Sequence, residues 1–173
     1  MNILVLCTGN SARSILLESI LNHSAGGRLQ AWSAGSKPAG QVHPQSLALL
    51  TELGHDTTGL RSKSWDEFAV PAASDARPVP STAPVPVMDL VITVCGSAAG
   101  ETCPFWPGAP LRAHWGVEDP AAVTGADQKQ AFQTAYDILN RRALALLTLL
   151  APGAEQLIPS ALQRELNRIG EQP

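Results

Sequence analysis

This sequence has few cysteines, no basic cluster and no long apolar run, and each shortage excludes a class of protein. Three cysteines among 173 residues are too few for the disulfide framework of a small secreted domain. The most apolar stretch, residues 143–151, is far shorter than the roughly 20 residues that a membrane-spanning helix needs. The net charge of −3 comes without a basic patch, so we expect neither nucleic-acid binding nor a membrane partner. We also expect no signal peptide, because the short N-terminal apolar run lacks a positive flank, and we predict a cytoplasmic protein.

An octad near the N-terminus, Cys-Thr-Gly-Asn-Ser-Ala-Arg-Ser at residues 7–14, carries the strongest functional signal. It lies between an apolar run typical of a buried strand and a pattern with helical spacing. Such a loop can turn several backbone N–H groups toward one tetrahedral oxyanion, and a helix N-terminus adds its positive end. The same field is expected to lower the pKa of the Cys7 thiol and make it a nucleophile. The alternative is an ordinary buried thiol. The predicted anion-binding residues are Thr8, Gly9, Asn10, Ser11, Ala12, Arg13 and Ser14.

Strand-like and helix-like segments alternate along the chain, which predicts an α/β fold. We predict strands over residues 2–6, 29–33, 88–94 and 111–114, and helices over residues 12–23, 44–53, 127–150 and 155–169. Strands that alternate with helices form a parallel sheet that is covered on both faces. The predicted architecture is therefore a three-layer sandwich with a four-stranded parallel sheet flanked by helices.

The domain organisation is predicted from two changes in composition. Residues 69–87 contain five prolines, which indicates a mobile surface loop. A Pro-Gly pair at residues 152–153 ends the long helix, so we predict one domain over residues 1–150 and a C-terminal helical extension over residues 151–173. The neighbouring Arg141 and Arg142 are predicted to lie on a solvent-exposed face of that helix.

Two further cysteines and an acidic residue follow the later strands. Cys95 comes after the third predicted strand, and Cys103 lies eight residues further on. Asp119 precedes a proline shortly after the fourth strand. Because parallel strands direct their carboxyl ends to one edge of the sheet, we expect Cys7 and Cys95 to open onto the same edge. Two unrelated buried thiols and a simple Asp-Pro turn are the alternatives. The four histidines lack metal-ligand spacing, so no metal site is predicted.

The octad, the two later cysteines and the pattern His-Trp-Gly-x-x-Asp-Pro at residues 114–120 together resemble a known family. They are similar to the three-cysteine arsenate reductases of the low-molecular-weight protein tyrosine phosphatase superfamily. The resemblance implies the phosphotyrosine protein phosphatase I-like fold and covers most of the chain up to about residue 150. Within it, Cys7, Arg13, Asp119, Cys95 and Cys103 are the implied catalytic residues. Glu118 is the competing candidate for the general acid.

The resemblance also implies reduction of arsenate to arsenite by a thiol relay, which is a reaction of arsenic detoxification. Cys7 would be the nucleophile, and Cys95 and Cys103 the resolving thiols. A bond between Cys95 and Cys103 requires their segment to loop or unwind, because a continuous helix would hold them about 12 Å apart. No tightly bound cofactor is expected. The implied reductant is external, either thioredoxin or the glutathione/glutaredoxin system.

Two rival functions remain open at the level of sequence. The first is a low-molecular-weight tyrosine phosphatase that uses only Cys7, Arg13 and Asp119. Family phosphatases usually carry a tyrosine after the Asp-Pro pair, whereas this chain has Ala121 there. The second rival is a non-enzymatic oxyanion sensor or redox switch, which would show no turnover with arsenate. The sequence leaves the oligomeric state undetermined.

Overall fold

The computed structural model describes residues 1–69, 85–96, 110–154 and 157–173. Within them, four strands form one sheet in the order β2-β1-β3-β4, and every neighbouring pair is parallel. The predicted α/β class, with a four-stranded parallel sheet flanked by helices, is confirmed. The strands are β1 (Asn2–Cys7), β2 (Gln30–Gly35), β3 (Leu90–Thr93) and β4 (Leu111–His114). The helices are α1 (Arg13–Ala25), α2 (Pro44–Glu52), α3 (Gln128–Leu149) and α4 (Pro159–Gly170).

Strand β1 is apolar along its whole length because both of its faces are buried. Successive side chains of a strand point to opposite faces. Ile3 and Val5 therefore join the larger core with helices α1 and α3, while Leu4 and Leu6 join a second cluster with Phe68. A strand buried on both sides reads as a continuous hydrophobic run rather than an alternating one. This pattern places β1 in the middle of the sheet, with its end inside the molecule.

Helix α1 begins at Arg13, directly after the octad loop, and is buried along most of its length. It ends at Gly26, whose φ of 56° is the left-handed conformation that glycine adopts without strain. Helix α3 packs against it through Phe132 and Leu139. None of the helices in the described part of the chain is long and apolar enough to cross a membrane.

The carboxyl ends of three neighbouring strands meet at one edge of the sheet. The Val94 N–H donates to the Leu6 carbonyl at 2.9 Å, so the segment after β3 lies beside the end of β1. The Val117 N–H donates to the Val94 carbonyl at 3.2 Å and brings the segment after β4 to the same place. This edge is where open α/β sheets bind ligands.

One sequence prediction about the helices is wrong, and two others concern residues that the structure does not describe. Arg142 was expected on a solvent-exposed face, and that prediction is wrong, since the residue is only 5% exposed. Its position three residues after Leu139 places it on the apolar stripe of α3. Residues 70–84 of the predicted Pro-rich loop lie outside the described residues, as does Cys103.

Candidate active site

A cavity of about 480 Å³ opens at the carboxyl edge of the sheet. It brings together four of the five predicted catalytic residues, because Cys7, Arg13, Cys95 and Asp119 all line it. Cys103 is the fifth and lies outside the described residues. The other lining residues are Thr8, Gly9, Gly96, Val117 and Glu118.

The octad loop turns its carbonyl groups away from the cavity. The Thr8 and Gly9 carbonyls accept hydrogen bonds from the N–H groups of Lys37 and Ala39, at 3.0 and 2.9 Å. The Ser11 carbonyl accepts from the His43 N–H at 2.9 Å. In a trans peptide the N–H group points opposite to the carbonyl. The N–H groups of the residues that follow, at positions 9, 10 and 12, therefore point away from residues 37–43, an arrangement that suits an oxyanion site.

Strand β2 packs so closely on this loop that it must carry a glycine. A Cβ atom built on Gly35 would lie 2.4 Å from the Thr8 carbonyl oxygen and 3.0 Å from the Asn10 Cβ. Real Cβ atoms do not approach backbone oxygen so closely, so any larger residue would displace the loop. Gly35 thus has a direct part in shaping the anion site.

Asn10 holds the loop in its unusual shape from inside the core. Its φ of 44° lies in the left-handed region, and its side chain is fully buried. The side-chain amide donates to Ser14 Oγ at 3.0 Å and to Ser33 Oγ at 2.7 Å. Its Oδ1 accepts from the Lys63 backbone N–H at 2.8 Å. Every polar group of this amide is satisfied, which fixes the loop by specific geometry.

A buried ion pair completes this network one layer further from the cavity. Ser33 Oγ donates to Glu18 Oε2 at 2.5 Å, and Lys63 Nζ lies 3.5 Å from the same oxygen. Burial raises the pKa of Glu18 and lowers the pKa of Lys63, and in each case it outweighs the attraction of the partner. Breaking a buried pair leaves an uncompensated charge and costs about 3–5 kcal/mol. The network therefore ties the loop to the stability of the core.

Two of the three guanidinium nitrogens of Arg13 have partners at the cavity. Nη1 donates to the Val117 carbonyl at 2.9 Å, and Nη2 lies 2.9 Å from Asp119 Oδ2. Its Nε is buried and has no hydrogen-bond partner in the described part of the chain. A buried donor without a partner is costly, and an oxyanion in the loop would satisfy it.

Asp119 is positioned by both of its carboxylate oxygens. Oδ1 accepts from the Ala121 N–H at 3.1 Å and caps the short 3₁₀ turn Pro120–Ala122. Oδ2 pairs with Arg13 at the rim of the cavity. The side chain is 44% exposed, so the ion pair is partly screened by solvent and orients the carboxylate more than it stabilises the fold. Glu118 lines the same cavity, and no ion pair to Arg13 is found for it among the described residues.

Cys7 and Cys95 are both buried, and a hydrogen bond links their thiols although 88 positions separate them in the sequence. Thr8 Oγ1 also lies 3.6 Å from the Cys95 sulfur. The hydrogen bond with Cys95 and burial raise the pKa of the Cys7 thiol above its usual range. Arg13 and the Gly9 N–H act in the opposite direction but do not outweigh them. The expectation of a lowered pKa is therefore wrong for this arrangement, because it left the second thiol out.

Replacing Cys95 with alanine is accordingly expected to lower the pKa of Cys7. The change removes the hydrogen bond that holds the Cys7 proton and the like charge that opposes its ionisation. The measurement is the pH dependence of Cys7 alkylation by iodoacetamide, with Cys103→Ser as the background in both proteins. The midpoint should fall when Cys95→Ala is added to that background. A midpoint that stays the same or rises would contradict this account of the thiol pair.

Sequence reasoning missed several residues that shape the site. Gly35 lies two residues after a predicted strand and carries no motif of its own, and Val117 contributes only a backbone carbonyl. Glu18 carried a usable signal, because a charged residue on a helix that is buried nearly all round requires a partner. Lys63 offered none, since its partner is 45 residues away in the sequence.

The site thus belongs to an α/β protein in which a loop with a cysteine and an arginine follows the first strand of a parallel sheet, and a second cysteine lies beside it. The chain belongs to the low molecular weight phosphotyrosine protein phosphatase family, whose model matches residues 2–157. An arsenate reductase of Halalkalibacterium halodurans is 32% identical to it over 139 residues, which cover 79% of this chain and 88% of that relative.

Solved structures share the same fold. An arsenate reductase in its phosphate-binding state is 24% identical, with a TM-score of 0.65, over 87% of this chain and 98% of that one. A thioredoxin-dependent arsenate reductase of Corynebacterium glutamicum is 23% identical, with a TM-score of 0.56, over 87% of this chain and 63% of that one. At these identities the likeness shows the fold alone. The function is therefore inferred from the site and from the relative that is 32% identical.

Proposed function

We propose that this protein reduces arsenate to arsenite with the electrons of its own thiols. The observation that carries the proposal is that Cys7 and Cys95, linked by a hydrogen bond, line the same cavity as Arg13 and Asp119. Reduction of As(V) to As(III) takes two electrons, which two thiols supply when they form one disulfide. The relative that is 32% identical is an arsenate reductase, which supports the same reaction here.

In the first step arsenate occupies the loop, where inward N–H groups and the free Nε of Arg13 bind its oxygens. The anion competes with Asp119 for Arg13 Nη2, and its binding releases the carboxyl group toward the leaving oxygen. The Cys7 proton passes to an arsenate oxygen, and the thiolate attacks arsenic. A sulfur–arsenic bond forms while one arsenic–oxygen bond breaks. Asp119, once released from Arg13, takes up a proton from water and passes it to the departing hydroxide, which leaves as water.

In the second step the Cys95 thiolate attacks the sulfur of Cys7. The sulfur–arsenic bond breaks and its electron pair remains on arsenic, so arsenite leaves and a Cys7–Cys95 disulfide forms. The Cys103 thiolate then attacks Cys95, which moves the disulfide to Cys95–Cys103 and returns Cys7 as a thiolate. Each exchange breaks one bond to sulfur and forms another, so the electrons balance.

The cycle needs an external dithiol to reduce the final disulfide. Thioredoxin and the glutathione/glutaredoxin system both have this chemistry, and both operate in the cytoplasm, where protein thiols are kept reduced. The fold neighbour from Corynebacterium glutamicum is thioredoxin-dependent, which favours thioredoxin as the first reductant to try. Within the chain, we propose residues 1–150 as the catalytic domain and residues 151–173 as an extension.

Phosphate-ester hydrolysis is the second candidate. The family description and the loop geometry favour it, because a loop that binds arsenate also accepts phosphate. A phosphatase needs one thiol, however, and this cavity is lined by two that are linked by a hydrogen bond. Ala121 also replaces the aromatic residue that family phosphatases usually carry after the Asp-Pro pair. We therefore expect hydrolysis of aryl phosphates to be a weak side activity.

The proposal is tested by arsenate-dependent consumption of NADPH in two coupled systems. One contains thioredoxin and its reductase, and the other contains glutathione, glutaredoxin and glutathione reductase. We expect steady turnover in at least one system and none when arsenate is replaced by phosphate. Absence of turnover in both, together with hydrolysis of phenyl phosphate, would identify the phosphatase instead.

A further inference from the structure

The segment over residues 157–173 packs against the strand that leads to Asp119. The backbone carbonyl of Leu166 in α4 accepts a hydrogen bond from Trp115 Nε1 at 3.0 Å, and the Trp115 side chain is fully buried. A Cβ atom on Gly170 would lie 2.3 Å from the His114 carbonyl oxygen. Residues 158–173 lie after the region that the family model matches. The contact therefore brings a segment outside that region against the edge of the site.

Arg142 joins this segment to the loop that follows β4. Its Nε and Nη2 donate to the Gln172 carbonyl at 3.0 and 2.7 Å. Its Nη1 donates to the Gly116 carbonyl at 3.1 Å. The guanidinium spans the two backbones, so it can only bond both when residues 116 and 172 keep their observed separation.

Arg142 places a charged side chain in the interior, which costs free energy. Arg142 is 5% exposed, and no carboxylate pairs with it in the described part of the chain. Burial lowers its pKa, which reflects the cost of removing this charge from water. An apolar side chain would fill the same space at lower cost, but it could not bridge two carbonyl groups. The guanidinium therefore provides a link between the Gly116 and Gln172 carbonyls that an apolar side chain could not form.

Two arginines hold consecutive carbonyls of one loop. Arg142 binds the Gly116 carbonyl, and Arg13 binds the Val117 carbonyl at 2.9 Å. The same Arg13 guanidinium pairs with Asp119 at 2.9 Å. The loop at residues 116–119 is thus held between the anion site and a support behind it.

We propose that Arg142 is a positioning residue that, together with residues 157–173, fixes the 116–119 loop and so orients Asp119 over the anion site. This inference depends on the proposed function only in that Asp119 acts as the acid. General-acid catalysis requires the carboxyl group within hydrogen-bond reach of the leaving oxygen. Displacement by about 1 Å can lower a rate about a hundredfold. Arg142 itself touches neither the anion nor a reacting sulfur.

The test is a double-mutant cycle between Arg142→Met and Asp119→Asn. Arg142→Met alone should lower kcat/KM for arsenate by about ten- to a hundredfold. In the Asp119→Asn background it should have less than a threefold effect, because the group that it positions is gone. Lys129→Met is the matched control, since that lysine lies on the same helix as Arg142, pairs only with Glu52 among the described residues and should leave kcat/KM unchanged. Equal effects of Arg142→Met in both backgrounds would overturn the proposal.

Hydrogen exchange gives a second result that does not depend on activity. Arg142→Met should speed amide exchange at residues 115–121 at least about fivefold, without the same increase in β1 or α1. Arg142→Lys keeps the charge with fewer donors, should show an intermediate effect, and serves if the methionine variant does not fold. Unchanged exchange at residues 115–121 would overturn the proposal. If wild-type protein fails to turn over arsenate but hydrolyses aryl phosphate, the reductase proposal fails. The double-mutant cycle is then measured as kcat/KM for hydrolysis of that ester.

Discussion

Cys7→Ser is expected to abolish arsenite production. The serine hydroxyl stays protonated at neutral pH, and it is a far weaker nucleophile than a thiolate. An oxygen at this position also cannot form a disulfide with Cys95, so the two electrons that arsenic requires are not released. We expect a loss of at least about a thousandfold, measured as arsenite formed per protein in the coupled assay. Arsenite production above a tenth of the wild-type rate would contradict the role of Cys7.

A binding control separates lost chemistry from a lost site. The loop N–H groups and Arg13 are unchanged in Cys7→Ser, so the variant should still bind phosphate. Phosphate should therefore raise the melting temperature of wild type and variant by similar amounts. Loss of this stabilisation would mean that the substitution had disturbed the loop, and the activity result would then say nothing about nucleophilic attack.

Cys95→Ser is expected to stop turnover while it leaves the first chemical step intact. The serine hydroxyl cannot attack the Cys7 sulfur to form a disulfide, so the thiol–arsenic adduct has no route forward. NADPH consumption in either coupled system should fall at least about a hundredfold. Sustained consumption in this variant would contradict the relay.

Hydrolysis of phenyl phosphate provides the internal control for Cys95→Ser. That reaction needs the nucleophile, Arg13 and the acid but no second thiol, so it should stay within a few-fold of the wild-type rate. A matched fall in both activities would place Cys95 in the support of the loop rather than in electron transfer. The contact between Thr8 Oγ1 and the Cys95 sulfur makes this control necessary.

The sequence predicts the first half of the site well because that half is local. The loop between β1 and α1 follows from eight consecutive residues, and the flanking strand and helix follow from short periodic patterns. The meeting of Cys7 and Cys95 follows from topology, since parallel strands direct their carboxyl ends to one edge, whereas Asp119 was expected there from the family resemblance. The roles of these residues in the relay stay predictions.

Effects that depend on packing between distant segments were not predictable from the sequence. Arg142 falls on the apolar stripe of α3, but the partners that satisfy its guanidinium are the carbonyls of residues 116 and 172, which no local pattern indicates. The direction of the Cys7 pKa shift depends on a thiol 88 positions away, whereas the sequence argument used only the loop N–H groups and the helix N-terminus. The glycine at position 35 matters through the Thr8 carbonyl, which no local pattern indicates.

The central claim is that this cavity transfers two electrons from its own thiols to arsenic. It is tested most directly by counting free thiols after one equivalent of arsenate is added to fully reduced protein without any external reductant. The sequence contains three cysteines, so the account predicts that the count under denaturing conditions falls from three to one while one arsenite appears per chain. A count that stays at three, with no arsenite released, would contradict the thiol relay and leave an oxyanion-binding phosphatase.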